Sequence, residues 1–416
     1  MLIDLKMAWR NIWRNPRRTL LTVLAIAFAC VLLVFMLSFQ FGSYDSMINS
    51  SVKISTGHLQ IQARGYRKHH DIRKVIPDPQ PILRIIEAMP RVQACTTRAG
   101  AFAMASSASR TYGVMVIGIQ PQAEARVSSL AHTIRKGEYL SGPINDQGIA
   151  GALVGRLLAR NLKVGIGDDI TILGQGRDGS VAASVLKVKG IYASGMDEFD
   201  RSTIHIPLKA FQDIFFMQQA VHEIVVMGQD LGTVSAIKAD LTRRLQGLPG
   251  EPPLAVLDWD ELLPGLRQAI SMDLVSGAIF YLILIMVVAF SILNTFLMAI
   301  MERTHEFGVM MAMGTRPGRL IRLVLTESAG MTLVGVTVGV VLGLALTGYF
   351  QVHGIDISGS SELLRQYGIP GRIHPRLTFL SAATGPAAVF LITLAAALLP
   401  ALRIRRLKPV DAMNYN

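Results

Sequence analysis

Hydrophobic and polar positions along this chain separate into four long apolar runs and one long mixed stretch. The runs are Leu20 to Phe41, Leu274 to Ile300, Leu323 to Phe350 and Leu377 to Leu402. Each exceeds the roughly 20 residues that a helix needs to cross a bilayer, and Glu327 is their only ionised residue. Hydropathy therefore predicts spans over 20–41, 274–301, 323–350 and 377–402. Arginines precede the first run as they would a signal peptide. Its apolar core is too long for one, and no small-x-small cleavage site follows in FGSYDSM, so it reads as an uncleaved anchor.

The mixed stretch, 42–273, alternates strand-like and helix-like segments. Strands are predicted over His58–Ala63, Tyr112–Ile119, Asp169–Leu173, Ser184–Tyr192, Thr203–Ile206 and Glu223–Met227, where β-branched residues or period-two alternation stand out. Helices are predicted over Pro81–Met89, Gly151–Asn161, Leu208–Phe216 and Thr233–Gln246, and GQGRDGS (Gly174–Ser180) as a hairpin turn. Asp258 and Glu261 have capping-box spacing, starting a helix expected to run on into the second span. The fold class is thus a four-helix membrane protein with a large α+β extracytoplasmic domain between helices one and two.

Composition agrees: 416 residues with 17% charged and a mean hydropathy of +0.41 suit a membrane protein with a sizeable water-facing part. The net charge of +12 is concentrated beside the spans. An N-terminal amphipathic segment (1–19), the hinge 302–322 and the tail 403–416 hold 13 of the 41 basic residues, among them Lys6, Arg10, Arg14, Arg17, Arg18, Arg403 and Lys408. The loop 351–376 has only Arg365, Arg372 and Arg376. The positive-inside rule places both termini and the hinge in the cytoplasm and the large domain outside. Membrane lipid, not nucleic acid, is the expected partner of this charge, because no groove-reading or base-stacking motif accompanies it.

Catalytic and cofactor signatures are missing. There is no G-x-x-x-x-G-K-[ST], H-E-x-x-H or G-x-S-x-G, so no nucleotide hydrolysis, metal or catalytic site is assigned to this chain. His69-His70-Asp71, flanked by Arg67, Lys68, Arg73 and Lys74, reads as a solvated basic loop, and Asp197, Glu198 and Asp200 as an exposed acidic one. Cys30 and Cys95 lie in different compartments of the predicted topology, so no disulfide is expected.

Two patterns within the membrane part remain open on the residues alone. Gly335, Gly339 and Gly343 repeat every four residues, which lets helices approach closely, either inside one chain or between two. The hinge ERTHEFGVMMAMGTRPGRLIRLVLTE is either a tight turn or a short amphipathic helix offering Phe307, Met310 and Met311 to a partner's groove. Glu327 is expected to pair with Arg319 or Arg322.

The hinge also resembles the signature of FtsX-like, MacB-type ABC permeases, roughly E-R-x-x-E-[IF]-G-x-x-x-A-[ML]-G. Glu302, Arg303, Glu306, Phe307, Gly308, Ala312, Met313 and Gly314 match it. MAWRNIWRNPRRTLLTVLAI and PALRIRRLKPVDAM are similar to that family's two ends. GIQPQAEARVSS and GEYL followed by GALVGRLLARNLKVGIGDDITI resemble its periplasmic domain. The likeness is nearest to the lipoprotein-releasing branch. It implies a permease subunit of the bacterial inner membrane that dimerises with a second copy or a paralogue and binds two copies of an ABC ATPase. ATP and Mg would be bound by the ATPase, whose motion passes to the periplasmic domains by mechanotransmission. Glu302, Arg303, Glu306, Phe307, Gly308, Met310, Met311 and Gly314 would form the ATPase-coupling contact, and Gly335, Gly339 and Gly343 a packing or dimer surface. The resemblance further implies two lobes outside, one discontinuous (about 44–119 and 204–256) and one inserted (about 120–203), with a chaperone or adaptor as a further partner. The cargo it implies first is lipoprotein. Tripartite export of a drug or peptide, or regulation of a cell-wall hydrolase without transport, are the alternatives.

Overall fold

The computed structural model describes residues 2–140, 149–246, 253–356 and 372–406. Arg365, Lys408, Asp411 and the centre of the predicted 351–376 loop lie outside the described residues. The chain forms two compact units. One is Asp45–Gln268; the other combines Met1–Tyr44, Ala269–Asp356 and the chain from Arg372 onward.

The first unit is α+β. Its strands are β1 (Leu59–Ala63), β2 (Val92–Ser106), β3 (Thr111–Ile119), β4 (Ile134–Gly137), β5 (Ala150–Gly155), β6 (Asp169–Gln175), β7 (Val181–Tyr192), β8 (Thr203–Pro207), β9 (Glu223–Gly228) and β10 (Leu254–Asp258). They form one ten-stranded sheet in the order β10-β1-β9-β2-β3-β8-β5-β7-β4, with β6 bridging β2 and β7. Most neighbours are antiparallel; β3–β8 and β5–β7 are parallel. Strands from 120–203 thus continue the sheet built by the flanking segments. All six strands and the hairpin turn expected from alternation are present.

The longest strand was not expected. In β2, Ala99, Ala101, Ala103 and Ala105 all point into the core at period two, while Phe102 and Met104 point out. Alanine's low β-propensity hides this alternation from a sequence reading. The predicted helix Gly151–Asn161 begins instead as β5 and becomes helical only from Arg156 to Leu162. The acidic segment is also corrected. Asp197 to Ser202 is a short helix, and Asp200 is buried, accepting hydrogen bonds from the Ser194 amide (2.9 Å) and hydroxyl (2.6 Å). His70 packs edge-on against Tyr66, and no metal-binding cluster occurs among the described residues.

One buried ion pair pins the helix Pro121–Val127 to this sheet. Arg98 on β2 donates to both carboxylate oxygens of Glu124 at 3.0 and 2.6 Å and to the Ser55 carbonyl. Burial alone would raise the Glu124 pKa, but the charge and hydrogen bonds of Arg98 outweigh it and hold the carboxyl below the usual range. A depressed carboxyl stabilises the fold above its unfolded pKa, and that contribution is lost as pH falls through the folded value. Glu124→Gln, which leaves Arg98 buried and uncompensated, is expected to cost about 3 kcal/mol at neutral pH. It should also flatten the loss of stability below about pH 4. Urea unfolding of both proteins at pH 7 and at acid pH measures this, and parallel pH curves would contradict it.

The second unit is helical: α1 (Leu2–Ile12), α2 (Pro16–Ser51), α3 (Pro264–Glu302), α4 (Thr304–Ala312), α5 (Pro317–His353) and α6 (Phe379–Arg403). α2, α3, α5 and α6 correspond to the four predicted spans, α6 starting two residues later than expected, and each is long and apolar enough to cross a membrane. The capping box at Asp258–Glu261 is present, but its helix ends after Leu262. Leu263 leaves helical geometry because it precedes Pro264, and α3 starts afresh there. The expected continuous helix is therefore broken.

Ile26, Cys30 and Leu33 of α2, Ile285, Ile292 and Phe296 of α3, Met331 of α5 and Val389 of α6 form one apolar core. The glycine stripe lies inside this bundle. A Cβ on Gly335 would approach Ile26, one on Gly339 would lie 2.6 Å from the Ala27 carbonyl oxygen, and one on Gly343 would lie 3.2 Å from Val34. All three glycines are therefore used in seating α5 against α2 within this chain.

Candidate functional site: the hinge between the second and third spans

The hinge folds as α4, separated from α3 by a single non-helical residue, Arg303. Its end is set by local chemistry. Gly314 adopts φ +94°, open to glycine without strain, and Arg316 is extended before Pro317, which opens α5. Of the two readings the residues left open, the helix is the observed one.

Its inward face differs from the expectation. Phe307 is completely buried among Ile300, Leu320, Val324, Ala401 and Ile404, with Met310 and Met311 packed against the same cluster. Gly308 is buried beside it. Phe307, Met310 and Met311 therefore fasten α4 to α3, α5 and α6, Phe307 with no surface left open and the two methionines half-buried. The apolar stripe matches the chain's own core. His305, Val309, Ala312 and Met313 are on the open side, with Met313 74% exposed.

Among the described residues, four ionic contacts hold the start of the hinge. Arg303 donates to Glu327 of α5 at 3.0 Å, in a pair with little exposure on either side. Arg303 also reaches Glu306 at 3.2 Å, and its guanidinium lies 5.3 Å from the centre of the Phe307 ring. Glu306 in turn receives two hydrogen bonds from Arg14, at 2.6 and 3.2 Å, and Glu302 receives one from Arg18 at 3.0 Å. Burial works to raise the Glu306 pKa, yet the hydrogen bonds from Arg14 and Arg303 prevail and keep it below the ordinary carboxylate range. The expected partner of Glu327, Arg319 or Arg322, is thus replaced by Arg303. The reason is geometric. On α5, Arg322 and Arg319 precede Glu327 by five and eight residues, not the three or four that make helix neighbours, whereas Arg303, at the break between two helices, is free to turn inward. Sequence reasoning also missed Arg14 and Arg18, whose positions near the first span suggested only a topology signal.

The site consequently joins signature residues 302–314 to the turn between α1 and α2, to α2 and to α5 by charge, and to α3, α5 and α6 by apolar contact. It holds no nucleophile–base pair and, among the described residues, no metal-ligand group. Its chemistry is mechanical: a small helix, fastened on several sides, with one side open.

Comparison with known proteins bears on what such an arrangement serves. The family model described as MacB-like periplasmic core domain matches residues 19–244, and the one described as FtsX-like permease C-terminal matches residues 278–409. Among curated relatives, the lipoprotein-releasing system transmembrane protein LolC of Xylella fastidiosa is 23% identical, covering 95% of this chain and 93% of its own length. The macrolide export ATP-binding/permease protein MacB of Rhodospirillum rubrum is 24% identical over 99% of this chain and 60% of its own length. Among solved structures, the periplasmic region of MacB from Actinobacillus actinomycetemcomitans aligns with 52% of this chain and 94% of that one, at 15% identity and a TM-score of 0.38. With more than half its length matched by the periplasmic core model and its last third by the permease model, this chain belongs to the FtsX-like, MacB-type family of ABC transporter permeases.

Proposed function

We propose that this chain is the transmembrane subunit of a mechanotransmitting ABC system, in which a separate ATPase engages the open side of α4. The carrying observation is the fastening of α4 and its N-terminal junction: ion pairs from Glu306, Glu302 and Arg303 reach Arg14 in the turn between α1 and α2, Arg18 of α2 and Glu327 of α5, and the apolar face of α4 packs on α3, α5 and α6. A displacement imposed on so tethered a helix is passed to the spans instead of being absorbed by the loop. By chain connectivity, α2 and α3 lead directly into the outer domain. ATP and Mg belong to the ATPase. Two ATPases and two permease subunits, the second a copy or a paralogue, complete the assembly, with the hinge on the cytoplasmic side of the inner membrane. The favoured cargo is an amphiphilic envelope molecule, lipoprotein, because similarity to LolC runs the length of both chains. Export of a drug or peptide through an adaptor is the second reading, favoured by similarity to MacB along the whole of this chain.

Purification in mild detergent tests both levels. An ABC ATPase is expected to co-purify, and its absence under conditions that preserve the permease pair would overturn the assignment. Acylated lipoprotein in the preparation supports the first cargo, and an adaptor supports the second. Val309→Asp with Met313→Asp should weaken ATPase retention about tenfold or more without changing thermal stability, since both side chains face outward. Retention equal to that of the unaltered chain would contradict the open-side contact.

A further inference from the structure

α1 has two unlike faces. Ala8 and Ile12 are buried, Ile12 lying against Gly330 of α5, and the Thr19 hydroxyl donates to the Ile12 carbonyl at 2.6 Å, fixing the end of the helix. On the other side Met7, Trp9 and Trp13 stand in the open, the last two 53% and 62% exposed, with ring centroids 6.2 Å apart. Arg10 and Arg17 are exposed near them. Glu302 and Glu306 take up Arg18 and Arg14, whereas Arg10 and Arg17 form no ion pair among the described residues.

We propose that this outward face of α1 is a docking surface for anionic phospholipid headgroups. Three observations choose that occupant. The unpaired charge on the face is positive, so a neutral headgroup would leave it unmatched. A pair of exposed indoles beside basic residues suits the boundary between headgroups and hydrocarbon. The surface also continues into Leu20, Leu21, Leu24 and Phe28 of α2, each more than half exposed, which hydrocarbon is suited to cover. The inference rests on reading α2 as a membrane span but does not depend on an ATPase or a cargo.

The test uses the full chain in nanodiscs, with Trp259→Phe so that only Trp9 and Trp13 emit. Fluorescence quenching is compared between bilayers holding the same fraction of brominated phosphatidylglycerol or brominated phosphatidylcholine. Two unpaired arginines should enrich the anionic lipid around the indoles, by about fivefold for each. Stronger quenching by the anionic lipid is expected, falling to equality in Arg10→Gln/Arg17→Gln. Equal quenching in the starting protein would overturn the proposal. So would no quenching by either lipid, which would mean that protein, such as a second subunit, covers the face. If Trp259→Phe disturbs folding, the signal lost on Trp9→Phe/Trp13→Phe in the otherwise unaltered chain gives the same comparison.

Discussion

Glu327→Ala is expected to destabilise the helical unit by about 3 kcal/mol, because it takes from the buried Arg303 guanidinium its buried carboxylate partner and leaves it only the more exposed Glu306. Arg303 is buried, with Glu327 at 3.0 Å and Glu306 at 3.2 Å, and water has little access to replace the lost carboxylate. Charge left unpaired near the hydrocarbon edge is costlier than on a soluble surface. Thermal unfolding in detergent should show a fall of several degrees, about 2–4 °C per kcal/mol for a chain of this size or somewhat less. Arg303→Met with Glu327→Met should recover most of that stability, since apolar residues of similar volume often replace a buried pair without loss. The double variant should nevertheless transmit poorly: α4 would lose its charge link to α5 while keeping its apolar seat. ATPase stimulation by the double variant equal to that of the unaltered chain would show the pair to be structural only.

The second large effect concerns the contact between α2 and α5. Gly339→Leu places a side chain where a Cβ alone would meet the Ala27 carbonyl oxygen and Cys30 Cβ at 2.6 Å and Ala27 Cα at 2.9 Å. Two of those atoms are backbone and cannot rotate away, so the helices must separate. Overpacking of this kind costs about 3 kcal/mol, and parting the helices also disturbs the buried hydrogen bond from Ser38 to Ser381, 2.9 Å long, that joins α2 to α6. Gly348→Ala is the control, since nothing lies within 4 Å of that position and alanine favours the helix. Gly339→Leu is expected to elute as aggregate on size exclusion while Gly348→Ala remains monodisperse. A monodisperse Gly339→Leu chain with unchanged unfolding temperature would place the glycine stripe outside the bundle.

Much of this architecture was readable beforehand, and what was not has physical causes. The four spans were legible because a bilayer demands length and apolarity together, and few other folds supply both. Most strands of the α+β unit announced themselves through β-branched alternation. β2 did not, because its inward positions are alanines. The end of the capped helix at Leu262 was legible in Pro264, yet the apolar run that follows suggested continuity. In the hinge, the signature identified which residues matter but not which way they face. Phe307, Met310 and Met311 form an apolar stripe either way, and only the structure shows that α3, α5 and α6 already cover it. Likewise, the ion pairs join residues far apart in the chain: Arg14 to Glu306, Arg18 to Glu302, Arg303 to Glu327. Charge spacing along a sequence cannot reveal such partners, because the choice among nearby arginines depends on how the helices fold back.

The central claim is that an ATPase presses on the open side of α4. Cysteine cross-linking tests it most directly, in a chain whose two native cysteines, Cys30 and Cys95, are replaced by serine and which is co-expressed with its ATPase. Val309→Cys and Met313→Cys, on the exposed side, should each cross-link to the ATPase through a short bifunctional thiol–amine reagent, with a yield that changes when ATP is added. Gly348→Cys, near the far end of α5, should not. Cross-linking at neither hinge position in a folded, paired complex would contradict the account, as would equal cross-linking at Gly348.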